Sequence, residues 1–184
     1  MDTKLFYAVN LGMENSLFDW LMPIITGYEI WILPVIALSV YLVYKNPRQG
    51  LFIIAAAVLA VTLSDLINHR VLKEIFARPR PCNVLPDVHL ITGCSGSLSF
   101  PSSHAVNSFT LAAVFGFYER RLWIITAPAA SLVAFSRVYL GVHYPADVIV
   151  GAMVGIGFGY LAYRAYLFST AARGRNTKPR TPGG

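Results

Sequence analysis

Five long apolar runs dominate this chain and leave a lipid bilayer as the environment that accommodates them. They cover residues 30–44, 51–66, 105–118, 122–140 and 148–168. About 20 apolar residues, wound as a helix, cross a hydrocarbon core. A helix is one of the two folds that satisfy every backbone polar group there. Charged residues make up only 13% of the chain, against roughly 25% in soluble domains. The first and third runs are short, so polar but helical neighbours are expected to extend them. The expectation is an all-α, polytopic membrane helix bundle of five to six transmembrane helices, forming one domain over residues 1–172.

The N-terminal stretch, residues 1–27, reads differently. Glu14, Asp19 and Pro23 interrupt its apolar runs, which fits an interfacial helix pair or a sixth, irregular span. It lacks the basic start and small-residue cleavage site of a signal peptide. Residues 173–184 are basic and rich in Gly, Pro and Thr, the composition of a disordered cytoplasmic tail.

Charge sets the expected orientation. Lys45 and Arg48 follow the first run, Arg120 and Arg121 the third, and Arg164 to Arg180 the fifth. Five spans put these ends on one side, which the positive-inside rule makes cytoplasmic. The loops after the second and fourth runs then face outward. The first of these is also basic (Arg70, Lys73, Arg78, Arg80), against the rule, and phosphate binding would account for it. With cations on both faces, the formal net charge of +6 does not describe a nucleic-acid surface. Cys82 and Cys94 lie in the same outward loop. In an oxidising compartment they can pair; the alternative is two free thiols. No third cysteine or histidine cluster supports zinc.

Most of the unusual polar residues fall in the outward segments. Lys73 and Arg80 are seven apart, two turns on a continuous helix, so both would leave one face. Pro79 and Pro81 end the helix there. An ammonium and a forked guanidinium make an anion pocket, although the pair alone could equally contact lipid headgroups. Pro101-Ser102-Ser103-His104 precedes an apolar helix. Ser is a favoured N-cap, and free N–H groups at a helix start attract anions; taken alone, this is also an ordinary capped helix. Ser136-Arg137 is followed by a short turn, His143 and Asp147. Pro145 suits a helix start. A carboxylate four residues from the imidazole can hold one ring nitrogen and leave the other free to attack. Asp147 also begins a row with Gly151, Gly155 and Gly159 at a spacing that lets membrane helices approach closely. Asp65 and His69 form another such pair, read here as an interhelical hydrogen bond.

In order and spacing these clusters resemble the three signature motifs of the type-2 phosphatidic acid phosphatase family, the lipid phosphate phosphatase and vanadium haloperoxidase superfamily. The motifs are Lys73 with Arg80-Pro81, then Pro101-Ser102-Ser103-His104, then Ser136-Arg137 with His143 and Asp147. Ser103 stands where the family most often has Gly, which would strain a position of positive φ. The resemblance implies that Lys73, Arg80, Arg137, Ser102 and the Ser103 N–H bind phosphoryl oxygens. It implies that His143 attacks phosphorus, Asp147 orients His143, and His104 protonates the leaving oxygen and then activates water. No metal or cofactor is implied.

The expected partners are the bilayer and a lipid phosphate or diphosphate substrate. The expected location is a bacterial inner membrane with the site facing outward. Undecaprenyl diphosphate is the first substrate implied. Lipid A 1-phosphate, phosphatidylglycerophosphate and phosphatidate are the alternatives. Residues 82–100, the N-terminal segment and the lipid groove would make the choice. A non-catalytic lipid-binding protein would have been free to lose some of these side chains, and a transporter would spread its ionisable groups along several spans.

Overall fold

A computed structural model describes residues 1–176, with side chains as far as Phe168. Among the described residues every regular element is helical. Two short helices come first, α1 (Asp2–Asn10) and α2 (Ser16–Thr26). The Asn15 side chain starts α2 by accepting the Phe18 N–H at 2.9 Å. Helix α2 meets α3 (Glu29–Lys45) at a bend of 54°. Asn46 alone joins α3 to α4 (Pro47–Ile67), and its side chain accepts the Gln49 N–H while Pro47 opens the helix. A π-helical turn, Asn68–Leu72, carries α4 into the single turn α5 (Lys73–Phe76). After the short α6 (Pro81–Val84) and a long loop come α7 (Ser103–Tyr118), α8 (Trp123–Tyr139) and α9 (Pro145–Asn176).

Helix α7 forms the centre of the bundle. Ala105, Val106, Ala112, Ala113, Val114 and Phe115 are buried, and α4, α8 and α9 pack around it. The glycine row of α9 makes the closest of these contacts possible. A Cβ at Gly151, Gly155 or Gly159 would fall within 2.9 Å of an α7 atom or of the Ser102 carbonyl that precedes it. Small residues trade side-chain volume for backbone proximity, which strengthens dispersion contacts where lipid supplies no hydrophobic drive.

Among the described residues three stretches are long and apolar enough to cross a membrane: Pro47–Val84, Arg120–Tyr139 and Pro145–Phe168. The bent pair α2 and α3 would make a fourth. The five-to-six expectation is thus met only in part. Helix α7 has 16 residues and rises about 24 Å at 1.5 Å per residue, less than a core of about 30 Å. It stops at Pro101-Ser102 on one side and Glu119 on the other. Residues 1–27 form two separate helices, and neither α1 with 9 residues nor α2 with 11 crosses by itself. Helix α9 runs on to Asn176, into the stretch read as a disordered tail; the rest of that tail lies outside the described residues.

The two ends of the bundle differ. Lys45 and Glu119 form an ion pair, so the α3–α4 and α7–α8 turns share one end. The α5–α7 loop and the α8–α9 turn meet at the other, where the Ser102 N–H donates to the Asp147 carbonyl at 3.0 Å. Helix α1 is tied to this second end: Asn10 donates to the carbonyls of His89 and Tyr139 at 2.8 and 2.7 Å.

Candidate active site

Helix α4 and its π-helical extension deliver Lys73, which is 3% exposed and donates to the Leu98 carbonyl. The helix then stops earlier than the sequence implied. Ala77 adopts a left-handed conformation (φ 42°, ψ 33°), so Lys73 and Arg80 do not leave one continuous helix face. Arg80 instead projects from an extended stretch between two prolines. Its Nε and Nη2 donate to the Ser97 carbonyl and hydroxyl, each at 2.9 Å, and its Nη1 to the Val142 carbonyl at 3.1 Å. Just before Ser97, a Cys82–Cys94 disulfide with a Cα separation of 6.1 Å closes the preceding loop.

The start of α7 also departs from expectation. Ser102 occupies the N-cap position, yet its side chain makes no capping bond. Its hydroxyl is buried without a partner. Ser103 is not at positive φ, so its side chain carries no strain there. Its hydroxyl accepts from Asn68 at 2.9 Å and lies 3.2 Å from His69 Nε2. Asp65 accepts from Asn107 at 2.9 Å across the α4–α7 contact. The exposed His104 opens onto a cavity of about 530 Å³. That cavity is walled by Trp31, Pro34, Val35 and Leu38 of α3, Leu111 and Phe115 of α7, and Ile125, Ala129 and Val133 of α8.

The α8–α9 turn gathers the third cluster. Gly141 takes φ 77°, which folds the chain back so that the Arg137 carbonyl accepts the N–H groups of Val142 and His143 at 3.3 and 3.2 Å. Arg137 Nη1 donates to Thr26 at 2.7 Å, while its Nε is buried and unpartnered. Asp147 is fully buried in the first turn of α9. It accepts from Arg78 at 2.7 Å, from the Tyr144 N–H at 2.9 Å and from the Ser99 hydroxyl.

His143, 1% exposed, lies between these groups. Its Nδ1 is 3.4 Å from Asp147 Oδ2 and 3.3 Å from the Ser99 hydroxyl, and its Nε2 is 3.2 Å from Arg80 Nη1. A guanidinium only donates, so Nε2 is the acceptor and the neutral ring carries its proton on Nδ1, toward Asp147. Burial pushes the ring down to about 4; the Asp147 contact pulls the other way, and Arg80 and Arg137 reinforce the drop. Neutral imidazole is therefore the resting form, with its Nε2 lone pair aimed at the cationic pocket.

Lys73, Arg78, Arg80 and Arg137 stand against the carboxylates of Asp147 and Asp2, an excess of two positive charges. His104 lies in the field of Arg137, His143, Arg80 and Lys73. Sequence reading did not single out Ser97, Ser99, Thr26 or Asp2, and it noted Arg78 only as part of a basic loop. Among the described residues no three His, Cys, Asp or Glu side chains converge as metal ligands would.

The fold and this cluster together define a membrane-embedded helix bundle with a group of cationic side chains gathered at one end. The PAP2 superfamily profile matches residues 50–171, more than half of the sequence, and the chain belongs to that superfamily. It is 33% identical over 181 residues to the lipid A 4'-phosphatase of Porphyromonas gingivalis, covering 92% of this chain and 74% of that protein. It is 28% identical over 165 residues to the undecaprenyl-diphosphatase BcrC of Bacillus subtilis, covering 89% and 83%. The crystal structure of Aquifex aeolicus LpxE superposes with a TM-score of 0.70 at 29% identity, covering 89% of this chain and 94% of that one.

Proposed function

We propose that this enzyme, a membrane phosphatase of lipid phosphates, works through a phosphohistidine on His143. The observation that carries the mechanism is the charge excess of two beside a neutral, oriented imidazole. A phosphoryl dianion offsets that excess. Lys73, Arg80 and Arg137 receive its oxygens together with the unpartnered Ser102 hydroxyl and the Ser103 N–H. Fixed donors of this kind stabilise a phosphoryl group in transfer. His143 Nε2 attacks phosphorus, the bond from phosphorus to the lipid oxygen breaks, and protonated His104 gives that oxygen its proton. Neutral His104 then takes a proton from water as the water oxygen attacks phosphorus. The P–N bond breaks, phosphate leaves and His143 is restored. Throughout, Asp147 holds Nδ1–H and offsets the charge the ring acquires.

The apolar cavity next to His104 receives the lipid on the leaving-group side. Its volume falls within the roughly 300–1,000 Å³ of small-molecule sites. A cavity of this size with an apolar lining suits a single hydrocarbon chain, which supports a polyprenyl diphosphate such as undecaprenyl diphosphate. The 33% identity to a lipid A 4'-phosphatase supports lipid A phosphate as the second reading.

In the same reading, α3 with α2, then α4, α7, α8 and α9, make five crossings of a bacterial inner membrane, with α1 at the interface. The site faces outward. Lys45, Arg48, Arg120 and Arg121 at the opposite end support reading it as cytoplasmic, and the disulfide at the site end suits an oxidising compartment.

The test is phosphate release by detergent-purified protein in EDTA. The substrates are undecaprenyl diphosphate, lipid A, phosphatidylglycerophosphate and phosphatidate. Release from one lipid well above the others, unaffected by EDTA, is expected; activity restored only by a divalent ion would refute the metal-free mechanism.

A further inference from the structure

Arg78 is not among the residues assigned to the phosphoryl oxygens, and it is held on three sides. Its Nη1 donates to Asp147 Oδ1 and its Nη2 to Asp2 Oδ2, both at 2.7 Å. Its guanidinium carbon sits 3.8 Å over the centre of the Tyr144 ring. The other Asp2 oxygen accepts the Ala146 N–H at 3.0 Å, in the first turn of α9. Three distant segments therefore meet here: the start of α1, the extended stretch after Ala77 and the start of α9.

The geometry bears directly on the carboxylate. A carboxylate turns about one bond, so fixing one oxygen fixes the other. With Oδ1 held by Arg78, Oδ2 faces the Ser99 hydroxyl, the Tyr144 N–H and His143 Nδ1. Arg78 alone would also neutralise Asp147 and weaken its hold on a charged imidazole. Asp2 supplies the offsetting negative charge. A planar fork holds two carboxylates at a fixed angle to each other; an ammonium, a point charge with rotatable donors, does not.

We propose that Arg78, clamped by Asp2, is a positioning residue that sets the orientation of Asp147 toward His143, so that helix α1 forms part of the active site. This rests on the His143–Asp147 reading given above.

The test measures kcat, KM and inhibition by inorganic phosphate in full-length Arg78→Gln, Arg78→Lys, Asp2→Asn and the double variant Asp2→Asn with Arg78→Gln. Arg78→Gln is expected to lower kcat about 100-fold, the scale of a misplacement near 1 Å, with KM and phosphate inhibition unchanged. Arg78→Lys should recover little of this. Asp2→Asn should lose less, and the double variant no more than Arg78→Gln, because both act through one network. Wild-type kcat in Arg78→Gln, losses that multiply in the double variant, or an effect confined to KM would overturn the proposal. Should Arg78→Gln not fold, Asp2→Asn carries the same test, since it removes one charge and keeps an acceptor. Asp147→Asn separates the two levels. If it retains wild-type turnover, the His143–Asp147 reading fails; if it is inactive while Arg78→Gln is not, only the clamp fails.

Discussion

Gly155 offers a direct measure of how closely chemistry here depends on helix packing. A Cβ at this position would lie 2.4 Å from the Val106 carbonyl oxygen, 2.8 Å from the Thr110 nitrogen and 3.0 Å from the Phe109 Cβ. The first two are backbone atoms of α7 and cannot swing aside. Carbon–oxygen contacts settle near 3.3 Å or beyond, so Gly155→Ala must separate α7 from α9 by about 1 Å. The cost in stability is about 1–3 kcal/mol for an overpacked contact. Turnover suffers as well. Helix α7 carries Ser102 to His104, and α9 carries Asp147 and the turn holding His143, so the two halves of the proposed site move apart. A shift of 1 Å corresponds to a loss in kcat of about 100-fold. The control is Gly157→Ala on the same helix, where an added Cβ meets nothing within 4 Å. Helix propensity makes that change neutral or stabilising by up to about 1 kcal/mol. The assay is phosphate release from a lipid substrate beside thermal unfolding in detergent. Wild-type kcat in Gly155→Ala, or equal losses in both variants, would refute the link between packing and catalysis.

Four further outcomes are expected. His143→Ala should fold and still be inhibited by inorganic phosphate, yet lose turnover by several orders of magnitude; wild-type activity would remove it as nucleophile. His143 is neutral above about 4 in the folded chain, and protonation removes the attacking lone pair. The acid limb of kcat/KM, which reports the free enzyme, should therefore fall near pH 4 rather than near the ordinary histidine value of about 6.5. The same depression favours folding above pH 6.5 and is lost as pH falls through the window between 6.5 and about 4. Opening the Cys82–Cys94 bridge by a Cys82→Ser and Cys94→Ser pair should lower stability by about 3 kcal/mol in the chain-entropy model; non-reducing mass spectrometry showing two free thiols in the wild type would contradict the bridge.

What could be read from sequence follows the distance over which each contact is made. Arg137, His143 and Asp147 fall within one short turn and the helix start after it, so their spacing alone anticipates that they meet. Arg80 was legible as a cation but not in its approach, because the left-handed Ala77 that redirects the chain is not a residue type that marks such a turn. Ser99 reaches Asp147 across 48 residues of sequence and Asp2 reaches Arg78 across 76, and no local pattern encodes either contact. Hydropathy located the apolar runs, but it does not fix where a helix stops. Helix α7 is apolar because protein surrounds it, and a buried central helix and a lipid-facing span look alike in composition.

The two histidines of the proposed mechanism show how surroundings divide one residue type between two tasks. An attacking nitrogen needs a fixed direction and a neutral ring. His143 has both, sealed between Arg80 and Asp147 with its proton held on the far nitrogen. A proton donor must instead follow the leaving oxygen as the lipid withdraws. His104 is exposed on the wall of the apolar cavity, one residue beyond the Ser103 that Asn68 of the π-helical turn holds in place. Exchanging the surroundings would disable both: a sealed acid could not reach the departing lipid, and an exposed nucleophile would lose the fixed direction that Arg80 and Asp147 impose. The division rests on a polar end that gathers phosphate and an apolar flank that takes the chain. Both depend on α7, which presents Ser102 to one and Leu111 and Phe115 to the other.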